Sequence, residues 1–170
     1  ELIAKVTEEN WKYTVSVTFN NTFVLAVPDP DDIAVDIKVE KTVKNTGELS
    51  IGPEGFEFVL EDTLNGEKIT LQTGDKGTAN FKLPFTAADI GKTYTYKLYE
   101  SNNGIKGVTY DTDIYNINIS ITLGQDNKLL ASITMNEKTV DTAVAEFENI
   151  YYAVTPPTSD NNNISFWIIL

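Results

Sequence analysis

The chain has 170 residues, a formal net charge of −12, and neither cysteine nor histidine. That length suits one domain with a sizeable core plus short appendages. The missing residue types exclude disulfides, thiolate or imidazole metal sites and histidine-based hydrolase triads, and the acidic balance excludes nucleic acid and anionic membrane, which need a basic face.

Strand-like runs separated by turn signals recur along the chain and no long segment has helical periodicity, which predicts an all-β protein. Residues 1–27 repeat later sequence: LIAKVT at Leu2 to Thr7 matches LLASIT at Leu129 to Thr134, and FNNTF at Phe19 to Phe23 matches FENIY at Phe147 to Tyr151. The segment is therefore expected to be the closing hairpin of a preceding repeat domain, with Asn21 as the counterpart of Asn149. An extra strand pair of the same domain is the alternative. PDPDD at residues 28–32 reads as a stiff, extended linker. From 33 to 153, turns at Asn45 to Gly47, Gly52 to Gly55, Asn65 to Gly66, Gly74 to Gly77, Asn102 to Gly107 and Gly124 to Asn127 are spaced as in an Ig-like β-sandwich with a Greek-key-like path. Only Thr86 to Ile90 suggests a helical turn, with Thr86 as its cap.

Strand side chains alternate between faces, so parity assigns each residue a side. Lys41 shares parity with Ile33, Val35, Ile37, Val39 and Val43; Glu100 with Tyr94, Tyr96 and Leu98; Asn149 with Ala143, Ala145, Phe147 and Tyr151. All three polar side chains are thus expected on inner faces. A buried ion without a partner costs several kcal/mol, roughly, so the three are expected to compensate one another. Burial lowers the pKa of an amine and raises that of a carboxyl group, which would set a neutral nucleophile beside a general acid. Lys41 could then attack the Asn149 carboxamide, with Glu100 polarising its carbonyl and passing a proton to the departing ammonia. Phe56, Phe58, Phe81, Phe85 and Phe147 would exclude water. The same parity also fits an ordinary Lys41–Glu100 salt bridge with Asn149 capping a backbone group, and one β-bulge would reverse it.

A series of landmarks from Ile37 to Tyr151 narrows the choice: VEKTV around Lys41, GFEFVLED at Gly55 to Asp62, FTAADIGKTYTYKLYE at Phe85 to Glu100, GVTYDTDIYNINISI at Gly107 to Ile121, and FENIY around Asn149. This stretch resembles the FctA-type pilin isopeptide domain of Gram-positive surface proteins, relatives of Cna B-type domains. The resemblance implies a sandwich cross-linked from a first-strand lysine, Lys41, to a last-strand asparagine, Asn149, with Glu100 as catalyst. It further implies an extracellular, cell-wall-anchored stalk or shaft module whose partners are neighbouring pilin or surface-protein domains, sortase, peptidoglycan after anchoring, and a host ligand.

After Val154 the chain turns polar and then apolar. TPPTS at Thr155, Pro156, Pro157, Thr158 and Ser159, followed by ISFWIIL at Ile164 to Leu170, resembles a sortase sorting signal and the start of its hydrophobic anchor. It departs from LPxTG at Thr155 and Ser159, and the apolar run is too short to span a bilayer. Residues 154–170 are expected to serve as that signal, cut between Thr158 and Ser159. Lys138 only loosely matches a lysine offered for polymerisation. The acidic runs DPDD and GQDNK lack EF-hand spacing, TYDT at Thr109 to Thr112 reads as turn chemistry, and no cofactor motif is present. A tip adhesin, a carbohydrate-binding β-sandwich and a two-carboxylate glycosidase are the competing readings.

Overall fold

In the computed structural model, residues 2–9 and 12–19 are described as backbone and residues 29–152 in full. Strands β1 (Leu2–Glu9) and β2 (Lys12–Phe19) form a two-stranded antiparallel sheet of eight residue pairs. Leu129–Met135 and Ala143–Tyr151, which contain the later copies of the repeated motifs, lie in different sheets.

The rest is a two-sheet sandwich, the all-β architecture that the turn spacing predicts. Its strands are β3 (Ile33–Asn45), β4 (Glu57–Asp62), β5 (Lys68–Gln72), β6 (Thr78–Phe85), β7 (Thr93–Ser101), β8 (Val108–Thr109), β9 (Ile114–Leu123), β10 (Leu129–Met135), β11 (Lys138–Val140) and β12 (Ala143–Tyr151). One sheet has the order β11-β10-β9-β7-β4-β5 and the other β6-β3-β12-β8. Every pairing is antiparallel except that of β3 with β12, the first and last strands of the sandwich, which run parallel over nine residue pairs. Pro84 is tolerated because β6 is an edge strand.

Between the sheets the alternating apolar residues interdigitate. Val35, Ile37 and Val39 of β3, Phe81, Leu83 and Phe85 of β6, and Ala143, Ala145 and Phe147 of β12 meet Phe58, Leu60, Leu98, Ile117, Ile119 and Ile121 of the facing sheet. A single 3₁₀ turn, Ala87–Asp89, joins β6 to β7. Thr86 caps it through a reciprocal pair of bonds with Asp89, the arrangement that satisfies backbone donors at a helix start.

Candidate functional site

Four polar residues are buried among the described residues: Lys41, Thr73, Glu100 and Asn149. Thr73 is accounted for locally, since its hydroxyl donates to the Pro53 carbonyl and accepts from the Phe56 N–H. The other three meet at one end of the sandwich. Lys41 and Asn149 come from neighbouring strands of one sheet, and Glu100 faces them from β7 of the other.

The Glu100 carboxylate bridges the pair. Lys41 Nζ donates to Glu100 Oε2 at 3.0 Å, and Asn149 Nδ2 donates to Glu100 Oε1 at 2.7 Å. Both charged side chains are shielded completely from solvent. Desolvation pushes the Lys41 amine down from its ordinary value and the Glu100 carboxyl up, against the weaker opposing pull of their mutual hydrogen bond. Both shifts work against the ion pair and in favour of a neutral amine beside a protonated acid. The Phe56 ring, 5.2 Å from Nζ, forms one wall, and Phe58 meets Phe147 in a tilted contact with ring centroids 4.8 Å apart. An open cavity of about 590 Å³ is lined by Glu100 and Asp111 together with Tyr99, Tyr110 and Ile114.

Two residues hold this geometry without announcing themselves in the sequence. Asp111, in the loop between β8 and β9, donates its backbone N–H to Asn149 Oδ1 at 2.7 Å. Its signal was TYDT, read from the sequence as turn chemistry. Gly77, just before β6, accepts the Lys41 N–H at 2.7 Å through its carbonyl. Gly77 has φ +71, and a Cβ there would stand 2.3 Å from the Lys41 carbonyl oxygen.

Asn21, Thr155, Pro156, Pro157, Thr158 and Ser159, like Trp11 and Trp167, lie outside the described residues. Lys138 opens β11 with its side chain exposed, at the edge of the six-stranded sheet. Among the described residues no cluster of three or more acidic side chains could hold a metal ion, and no helix is long and apolar enough to cross a membrane.

The profile of the FctA family, described as the Spy0128-like isopeptide containing domain, matches residues 37–152. The chain belongs to this family. No curated protein sequence matches it. Among solved structures, the FctA domain is similar to the major pilin of Streptococcus pyogenes, at 15% identity over 74% of this chain and 51% of that one, with a TM-score of 0.42. The T-13 major pilin of the same organism gives 15% identity over 72% and 54% of the two chains and a TM-score of 0.43. The pilus adhesin SpaC of Lactobacillus rhamnosus GG gives 16% identity over 76% and 16%, with a TM-score of 0.37. The chain spans about half the length of the two pilins.

Proposed function

We propose that this FctA domain is a structural module of a cell-surface protein or pilus, and that it joins Lys41 Nζ to Asn149 Cγ in an intramolecular isopeptide bond. The observation that carries the reading is that one carboxylate, the only one buried among the described residues, is hydrogen-bonded to both the amine and the carboxamide. A salt bridge needs no third group, and a capping asparagine needs no acid. Glu100 accepts a proton from the attacking amine and delivers one to the carboxamide nitrogen, so an amine and a primary amide become a secondary amide and ammonia. The carboxyl is regenerated, but the lysine and asparagine are consumed. The domain acts once, on itself, and is not an enzyme in the multiple-turnover sense.

The bond would close a loop of about a hundred residues, which in the chain-entropy model stabilises by about 4 to 5 kcal/mol. In a cysteine-free chain it takes the place of a disulfide and is indifferent to redox potential. The role is that of a stalk or shaft module on the outside of the cell, with sortase, peptidoglycan and neighbouring domains as partners. Residues 1–27 are read as the end of a preceding copy, residues 28–32 as a linker, and residues 154–170 as the sorting signal.

Intact-protein mass spectrometry tests the bond. The wild-type chain is expected to be lighter than its calculated mass by one ammonia, and Lys41→Ala and Glu100→Ala chains are not. Substituting Lys38 or Lys44, which sit on the outer face of β3, should leave the deficit in place. A wild-type chain at full calculated mass after prolonged incubation in the folded state would overturn the proposal.

A further inference from the structure

We infer that the backbone N–H of Asp111 is the oxyanion donor of the cross-linking step, and that the Asp111 carboxylate is the positioning group that aims it. The inference rests on the Lys41–Asn149 reading above and adds a component to it. A backbone N–H can only donate, so its 2.7 Å contact fixes which end of the Asn149 carboxamide it meets. Oδ1 faces Asp111, and Nδ2 faces Glu100. The division of labour differs from the one the sequence suggests, in which Glu100 serves the carbonyl as well. Here the acid stands at the leaving nitrogen and a separate donor stands at the oxygen.

The steps follow from that placement. The Nζ lone pair adds to Asn149 Cγ, and the carbonyl π pair moves onto Oδ1, where the Asp111 N–H receives the developing charge. Glu100 takes a proton from Nζ and supplies one to Nδ2, the Cγ–Nδ2 bond breaks, and ammonia leaves. Oδ1 returns to a carbonyl on the same donor. A fixed dipole aimed at this oxygen needs no reorganisation during the reaction, which is where such donors gain their effect.

The aim of that N–H is secured by its own side chain. Strand β8 pairs with β12 only through Val108 and Thr109, opposite Tyr151 and Ile150. Past that point the loop leaves the edge of β12, and the Asp111 carboxylate replaces the missing strand by accepting the Glu148 N–H at 2.8 Å. Its other oxygen accepts the Asp113 N–H at 2.9 Å, closing a tight turn. One residue is thus tied to β12 beside Asn149 and folded back so that its amide meets Asn149 itself.

The test is the rate of ammonia loss by intact mass, in full-length chains recovered unreacted in denaturant and folded by dilution across a range of pH. Asp111→Ala is expected to slow the step by about tenfold or more, approaching the ~100-fold cost of losing an oxyanion donor outright. Asp111→Asn keeps an oxygen for Glu148 and should recover most of the rate. Charge alone predicts the opposite sign. Burial lowers the Lys41 pKa and the Asp111 charge partly opposes that shift, so removing the charge would favour the neutral amine and speed the reaction. An Asp111→Ala rate equal to or above wild type would therefore overturn the inference. So would a slow variant whose pH profile moves toward alkaline values, because that marks a site opened to water rather than a misaimed donor. Independently, the Asp111 amide proton should exchange about tenfold faster in Asn149→Ala while the Glu148 amide stays protected; equal protection of Asp111 in both chains would also end it. A wild-type chain that loses no ammonia instead removes the parent reading, and this inference with it.

Discussion

Lys41 and Asn149 lie on adjacent parallel strands two positions out of step: Lys41 is paired with Phe147, and Asn149 with Val43. A two-residue offset preserves the face, so both side chains point inward from the same sheet as diagonal neighbours, near enough for long side chains to meet. The parallel pairing has a mechanical consequence. Tension applied before Ile33 and after Tyr151 would pull β3 and β12 in opposite directions along their shared ladder, and the proposed covalent link between them would pass the load without loading the strands between.

Glu100→Gln keeps the shape of the site but removes the proton carrier, so it is the cleanest uncross-linked reference. Losing about 4 to 5 kcal/mol of loop closure should lower the calorimetric midpoint by about 15 °C or more in a domain of this size. In single-molecule stretching the wild-type domain should show no extension step between residues 41 and 149, whereas the Glu100→Gln domain should extend by its full contour. Equal extension of the two would dissociate the bond from any load-bearing role.

Gly77→Ala should damage the site without touching a reacting atom. The added methyl would meet the Lys41 carbonyl at 2.3 Å and Pro53 Cβ at 2.8 Å, in a left-handed backbone conformation that disfavours a side chain. A cost of about 2 kcal/mol or more is expected, together with slower ammonia loss as β3 shifts at Lys41. Gly74→Ala, where nothing lies within 4 Å of the added Cβ, serves as the control and should leave the rate unchanged.

Inner and outer faces of the sandwich were legible because alternation survives through β3, β7 and β12; no bulge intervenes before Lys41, Glu100 or Asn149, and all three are buried. The capped turn at Thr86 was legible too, since a threonine followed three residues later by Asp89 is a local signal. What parity could not reveal is pairing at a distance. It does not say that β3 and β12 are neighbours, nor that they run parallel. Asp111 and Gly77 escaped for a related reason: each meets the site through a backbone group, and the Asp111 side chain, which aims its own N–H, reads in TYDT as an ordinary turn residue. Strand β11 was missed because its hairpin turns through Asn136 and Glu137, both at positive φ, and glutamate is not a residue that marks such a turn.

The uncross-linked site should carry its own pH signature. Asn149→Ala cannot react but retains Lys41 and Glu100. Folded Glu100 binds its proton more tightly than the unfolded chain, so its contribution to stability is complete below its ordinary value of 4.5 and is lost as pH rises through the raised folded value. Folded Lys41 holds its proton less tightly, so stability is regained as pH rises from the lowered folded value to the ordinary 10.5. Denaturant titrations should therefore show a dip between acid and alkaline arms. The dip should vanish when Lys41→Met and Glu100→Gln are added to the same chain; if it persists, other groups are responsible.

The turn entering β7 offers a measurement independent of the cross-link. Asp89 accepts from the Tyr94 hydroxyl and from the Thr86 N–H, which holds its carboxyl down at about 2 and pushes the Tyr94 phenol up to about 12. Because the Asp89 value is depressed, the stabilisation it lends is present above its ordinary 3.8 and disappears as pH falls through about 2. Tyr94→Phe removes the largest of these influences, so a carbon-detected NMR titration should find Asp89 moved back toward 3.8, with the remaining depression due to the cap. Thr86→Ala should cost about 1 kcal/mol, as loss of an N-cap does. An Asp89 that still titrates near 2 in Tyr94→Phe would mean that the cap alone, and not the phenol, governs the carboxylate.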